Sequence, residues 1–198
     1  MKHTTVTGAI LAGGLAKRMG QQDKGLVLYQ GQPLVSYALA AMQAITASVL
    51  INANRNADQY RAFGVPVIAD LTLSFDGPLA GVLAAMKQAK TQTLLVMPCD
   101  CPLVIAEHLQ ALLTVYHENQ ADIAVVYDGQ RLQPLFMAVD TGLQNDLQDY
   151  LANGGRRVDN WLSRHSVVTA DFSSQASDFL NINTLAELTA LEQLKTSN

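Results

Sequence analysis

Clustered positive charge, a cysteine framework and any long apolar run are what this chain lacks, and each absence excludes a class of function. Its 198 residues carry 13 Lys+Arg against 17 Asp+Glu, a formal net charge of −4. No basic cluster is longer than the pairs Lys17-Arg18 and Arg156-Arg157, which argues against a nucleic-acid backbone as the main partner. Any anion bound here must be small and locally held. The only cysteines, Cys99 and Cys101, are too close for a disulfide framework and too few for a structural zinc site, so reduced thiols of a cytosolic protein are expected. No charge lies between Lys24 and Arg55, yet Gly31, Pro33, Gln43, Ser48 and Asn52 interrupt that stretch. No window reaches the roughly 20 apolar residues of a membrane span. The apolar segment 6–16 after Lys2 is broken by glycines and followed by Lys17-Arg18 where a cleavage site should lie, unlike a signal peptide. With 49% hydrophobic and 15% charged residues, the chain can bury a full core as one domain, residues 1–198, and disorder is excluded as its main state.

Short runs rich in β-branched residues alternate with helical patterns. Residues 6–11, 49–53, 65–69, 94–97 and 123–127 read as strands, several too continuously apolar to have a wet face. Residues 34–44, 79–89 and 104–116 read as helices, the last with Leu109, Leu112, Leu113 and Tyr116 on one stripe. The repeat predicts an α/β fold, a mostly parallel central sheet with helices on both faces. After the turn dipeptide Asp128-Gly129, residues 135–139 read as a strand able to pair antiparallel, 143–151 and 158–162 as helical, and 167–170 and 179–182 as short strands. Thr184 with Glu187 three residues on is a capping box for a last helix over about 185–194.

The most informative stretch follows the first strand: Leu11-Ala12-Gly13-Gly14-Leu15-Ala16-Lys17-Arg18-Met19-Gly20-Gln21-Gln22-Asp23-Lys24-Gly25. Glycines at the carboxyl end of a buried strand let amide N–H groups turn inward as an anion nest, at the place where open α/β sheets bind ligands. Arg18 and Lys24 add a phosphate-matching fork and a point charge. Neither G-x-x-x-x-G-K-[ST] nor G-x-G-x-x-G is present.

That run resembles the signature L-A-G-G-x-x-x-R-M-G-x-x-D-K-G of the molybdenum cofactor guanylyltransferases, nucleotidyltransferases with a Rossmann-like sheet. The resemblance continues through Asn52-Ala53-Asn54-Arg55, Asp70, Gly77-Pro78-Leu79-Ala80-Gly81, Pro98-Cys99-Asp100-Cys101-Pro102 and Asn181-Ile182-Asn183-Thr184, so it covers essentially the whole chain. Gln21 departs from it, standing where family members often carry glycine. The resemblance implies transfer of GMP from GTP to the phosphate of molybdenum-bearing molybdopterin, with release of pyrophosphate. It assigns the nucleotide to the N-terminal half and molybdopterin to the C-terminal half. Carried over by position, Leu11, Ala12, Gly13, Gly14, Lys24, Asn52, Asp70 and Asp100 contact GTP. Asp100 also holds Mg²⁺, and Arg18, Lys24 and Asp100 are the catalytic set. Gly77, Gly81, Arg156, Asn181 and Asn183 are the candidates for molybdopterin. A cytoplasmic monomer is expected, serving molybdopterin-inserting and molybdoenzyme delivery proteins.

On the residues alone, alternatives stay open. Asp100 is a metal ligand, a ligand contact or the N-cap of the helix near Val104. Asn52 and Asp70 read a guanine edge or ribose hydroxyls, or simply terminate a strand and cap a turn. Arg156 and Arg157 are equally a solvated pair capping a helix. Cys99 and Cys101 read as small fillers beside Asp100. His3, His108, His117 and His165 lie outside these motifs and are expected at the surface. The missing general base is no obstacle, because a phosphate monoester has a second pKa of roughly 6 and is an ionised nucleophile at neutral pH. The competing functions are a cytidylyltransferase acting on molybdopterin, a sugar-phosphate nucleotidyltransferase of the same sheet, and a non-catalytic nucleotide-binding assembly protein. The first two usually carry L-A-A-G where this chain has Leu11-Ala12-Gly13-Gly14.

Overall fold

β1 (His3–Leu11) runs through a seven-stranded sheet in the computed structural model, which describes residues 3–13, 23–71 and 77–196. Its neighbours are β4 (Thr46–Asn52) and β6 (Thr93–Pro98). Beyond β4 lies β5 (Val67–Ile68); beyond β6 come β8 (Leu132–Asp140), β7 (Ile123–Tyr127) and β9 (Val167–Asp171). Pairings within this sheet are parallel except those of β8, which runs antiparallel to β6 and β7. The chain goes from β1 outward to β4 and β5, then crosses back to β6 on the other side of β1. That reversal opens a crevice at the carboxyl ends of β1, β4 and β6, the place where such sheets take ligands.

Both faces of the sheet are dry, as the apolar strands require. On one, Val6 and Ile10 of β1 pack with α1 (Leu34–Ile45) and α4 (Ala106–Asn119). On the other, Ala9 and Leu11 pack with α3 (Pro78–Gln88), α5 (Gln144–Ala152) and α6 (Val158–Leu162), whose Trp161 is fully buried. A third cluster joins Val27, Tyr29, Leu34, Ile182 and Leu188. It ties α7 (Leu185–Thr196) to a small antiparallel hairpin, β2 (Leu28–Tyr29) with β3 (Gln32–Pro33). The Thr184–Glu187 box forms: the Glu187 N–H donates to Thr184 Oγ1 at 3.1 Å, and the Thr184 N–H to Glu187 Oε2 at 3.1 Å.

Three expectations are corrected. Residues 179–182 are not a strand; a 3-10 segment (Ser173–Phe179) leads into an extended crossing. Phe179 and Ile182 are buried in different clusters, so their spacing reflects two cores and not one pleat. His108 is not on the surface: it is 3% exposed, against Phe172 and Phe179, with Nδ1 accepting the Ile105 N–H at 3.3 Å and Nε2 3.5 Å from Asp178. His165 is also largely covered, its ring against Trp161 and its Nε2 3.1 Å from Asp146. The hairpin and α2 (Ala57–Arg61) were not foreseen, having too few residues to show a period.

Candidate active site

At the crevice, a cleft of about 490 Å³ is lined by Leu11, Ala12, Gly13, Lys24, Asn52, Asp70, Gly77, Asp100 and Asn181 among others. Nine sequence-nominated residues therefore meet in one place. Gly14 and Arg18 lie outside the described residues. Asn54, Pro78, Pro98, Cys99 and Leu135 also line the cleft without having been nominated.

Lys24 is aimed by the residue before it. Asp23, 7% exposed, caps the short turn Lys24–Leu26 by accepting the Gly25 N–H at 3.3 Å, and it also accepts from Asn56 Nδ2 at 3.1 Å and from the Tyr60 hydroxyl. Burial first, then the neighbouring Cys99 thiol and Asp23 carboxylate, push the Tyr60 phenol far above its usual range, so it stays a donor to Asp23. A Cβ on Gly25 would overlap the Tyr60 hydroxyl. That signature glycine is thus needed for packing of the Lys24 turn. Lys24 Nζ then donates to Asp100 Oδ2 at 2.9 Å and to Asn183 Oδ1 at 2.6 Å.

Asp100 stands just past β6 and is 6% exposed. α4 begins at Ala106 with Ile105 at its N-cap, so the capping role is removed. Its Oδ1 instead accepts from Asn181 Nδ2 at 3.1 Å, and its backbone carbonyl accepts the Ile182 N–H at 2.9 Å. The crossing that failed to be a strand is what brings Asn181 and Asn183 here. Asn183 is fixed in turn, its N–H donating to Glu187 Oε2 of the capping box at 2.6 Å. Cys99 and Cys101 are buried, and burial, reinforced by the Asp100 charge, holds both thiols well above their usual range. They are protonated fillers at neutral pH.

At the other end of the cleft Asp70 is held by two amides. Asn52 Nδ2 donates to Oδ1 at 2.9 Å and Asn54 Nδ2 to Oδ2 at 2.7 Å, while the Asp70 N–H donates back to Asn54 Oδ1 at 2.8 Å. Asn52 and Asn54 could be found from sequence, since residues two apart in an extended chain share a side. Close approach is enforced around them. A Cβ on Gly13 would come within 3.0 Å of Asn54 Nδ2, and one on Gly81 would overlap Asn52 Oδ1. Gly81 is thus buried inside α3 behind Asn52 and lines neither cleft.

A second cleft of about 680 Å³ shares Pro78, Pro98, Leu135 and Asn181 with the first and extends to Arg131, Gln133, Arg157, Val158 and Asp159. Gln133 is 9% exposed and held by Asp128, which accepts its Nε2 at 2.7 Å. Arg156 does not line this cleft; its Nη1 donates to the carbonyls of Leu151 at 2.7 Å and Gly155 at 2.6 Å, closing the end of α5. The arginine that lines it is its neighbour, Arg157. Gly77, with φ +78°, lets the chain turn sharply into Pro78, the first residue of α3.

Comparison with known proteins follows the same outline. The MobA-like NTP transferase domain family matches residues 8–168. The chain is 42% identical over 179 residues to the molybdenum cofactor guanylyltransferase of Shewanella sediminis, covering 90% of this chain and 91% of that protein. It is 43% identical over 197 residues to the molybdenum cofactor guanylyltransferase of Ralstonia nicotianae, covering 95% and 96%. Among solved structures, the molybdopterin-guanine dinucleotide biosynthesis protein A of Archaeoglobus fulgidus superposes with a TM-score of 0.81 at 22% identity, covering 97% of this chain and 100% of that one. At that identity the likeness speaks for the fold.

Proposed function

The chain belongs to the molybdenum cofactor guanylyltransferase family of nucleotidyltransferases, and from that premise we propose that it transfers GMP from GTP to the phosphate of molybdenum-bearing molybdopterin. The first cleft takes GTP and the second takes molybdopterin. The observation that carries this reading is the cluster of Lys24, Asp100, Asn181 and Asn183, which lies where the two clefts share a wall.

In the reaction, an ionised oxygen of the molybdopterin phosphate attacks the α-phosphorus of GTP. The new P–O bond forms as the bond to the β-phosphate bridging oxygen breaks, and pyrophosphate leaves with that electron pair. No side chain must remove a proton, so the protein's work is positioning and charge neutralisation. Lys24 exchanges its bond to Asp100 for the departing phosphates, and Arg18 adds a second cation. Asp70, steered by Asn52 and Asn54, is a bidentate acceptor with lone pairs free. It suits the adjacent N1–H and amino donors of guanine, an edge that adenine and cytosine do not present.

The residues fit a magnesium ion at Asp100. Its carboxylate is buried and opens on the cleft, and its present partners are one cation, Lys24, and one amide donor, Asn181. An ion here would be held by this one carboxylate together with substrate phosphates and water. Bound there, Mg²⁺ supplies charge neutralisation to the triphosphate. Among the described residues no helix is long and apolar enough to cross a membrane.

Pyrophosphate release measured with each nucleoside triphosphate, with and without molybdopterin, tests this function. Release with GTP and molybdopterin together is expected. Equal use of CTP and GTP, or release independent of molybdopterin, would overturn it.

A further inference from the structure

Residues 153–157, between α5 and α6, contain Gly154 and Gly155 and should be costly to order. They are instead tied down at nearly every step. The Gly154 N–H donates to Leu151 O at 3.0 Å and the Gly155 N–H to Tyr150 O at 2.9 Å. The Tyr150 hydroxyl reaches forward to donate to Arg157 O at 2.9 Å, a carbonyl that also accepts the Trp161 N–H at 3.3 Å. The Tyr150 ring lies directly on Gly155, so that a Cβ there would fall inside it. The Arg164 guanidinium sits over the Tyr150 ring, 5.5 Å from its centroid, and pairs with Asp146 at 2.5 Å. Asp146 also accepts Trp161 Nε1 at 2.9 Å. The two short helices and their glycine loop therefore form one braced unit, and the residues at the start of its second helix, Arg157, Val158 and Asp159, line the second cleft.

We propose that Tyr150 is a positioning residue for molybdopterin, fixing through the Arg157 carbonyl and Gly155 the backbone from which Arg157 lines the second cleft. This rests on the reading of that cleft as the molybdopterin site. Tyr150 itself lines neither cleft, so any effect it has on substrate passes through the loop. A loop already ordered in the folded protein does not lose that freedom when substrate binds, and affinity is higher for it.

The test is Tyr150→Phe, which keeps the ring on Gly155 and removes only the hydroxyl. KM for molybdopterin should rise about fivefold, the effect of one neutral hydrogen bond, with KM for GTP and kcat unchanged. Tyr150→Leu, which removes the ring as well, should raise it further, and an unchanged KM for GTP reports that each variant is folded. Arg157→Ala, measured alongside, separates the two levels of inference. If Arg157→Ala raises KM for molybdopterin while both Tyr150 variants leave it unchanged, the brace is merely structural and the proposal fails while the cleft assignment stands. If Arg157→Ala is also without effect, the cleft assignment falls with it.

Discussion

The two clefts share a wall and are built on opposite plans. In the first, Asn52 and Asp100 are 3% and 6% exposed, each bonded to a side chain from another part of the chain, and Asp23, 7% exposed, holds the turn that carries Lys24. In the second, the side chains of Arg131 and Arg157 are 74% and 76% exposed, and each faces an acidic neighbour at 3.9 Å. A cleft whose polar groups constrain one another is preorganised for charge that develops at one point. Exposed arginines on loop ends can grip a large substrate, but they act through a screened and adjustable field.

If that contrast is right, substitutions in the first cleft should cost most and do so without unfolding the protein. Asp100→Asn keeps an acceptor for Asn181 but loses the charge and, with its second oxygen replaced by an amide NH2, the ion pair with Lys24. Turnover should fall roughly 10² to 10³-fold while the protein still melts as one cooperative fold at a lower temperature, the cost of breaking the Lys24–Asp100 pair, and Lys24→Ala should fall by a similar factor, the scale of losing one aimed group. Pyrophosphate-release rates beside thermal melts check both. Full activity of Asp100→Asn at the wild-type magnesium requirement would remove the metal role.

Gly81→Ala sharpens the comparison from behind the cleft. In an ordinary helix interior this change stabilises by about 0.5–1 kcal/mol. Here the new methyl must displace Asn52 Oδ1, and Asn52 steers Asp70. KM for GTP should rise roughly tenfold, as expected when a buried hydrogen bond is broken and its partner left unsatisfied, and the helix should gain nothing. A more stable protein with wild-type KM would mean the network yields easily. In the second cleft, Arg131→Ala should raise KM for molybdopterin only a few-fold, and the difference should shrink as salt is raised, because an exposed charge is screened beyond a Debye length of ~8 Å. A salt-independent effect would place Arg131 in direct, desolvated contact.

How much of this was legible in the sequence follows the same divide. The strand-helix alternation and the strand that pairs antiparallel could be read because fully apolar runs leave few choices. The first cleft could be read because glycine turns and polar residues at strand ends are local signals: Leu11, Ala12, Gly13, Asn52, Asp70 and Asp100 line it together. The second cleft depends on long-range placement. Arg156 and Arg157 are indistinguishable in sequence, and only the fold turns one back onto the Leu151 carbonyl and the other toward the cleft. His108 was misplaced for the same reason: its covering side, Phe172 and Phe179, lies more than sixty residues away. Asp23 had a local signal, an acidic residue two before the turn glycine Gly25, but its burial under Tyr60 had none.

The smallest expected effect concerns the brace behind the second cleft. Burial pushes the Asp146 carboxyl upward, but hydrogen bonds from Trp161 and Arg164 and the nearby charges of Arg164 and His165 outweigh it, leaving Asp146 below the usual carboxylate range. A depressed carboxylate contributes stability that is present above its unfolded-state value, ~3.9, and is lost as pH falls through the lower folded-state value. The Asp146 side chain is 31% exposed, so solvent screens much of this. The gap between the melting temperatures of wild type and Asp146→Asn should be about 2 °C at neutral pH for a chain of this size and should close as the pH is taken below about 4. A gap that stays constant down to pH 3 would mean that the bonds to Trp161, Arg164 and His165 hold α5 to α6 by shape and not by charge. The second cleft would then owe its geometry to packing, where the first owes its own to polar groups that hold one another.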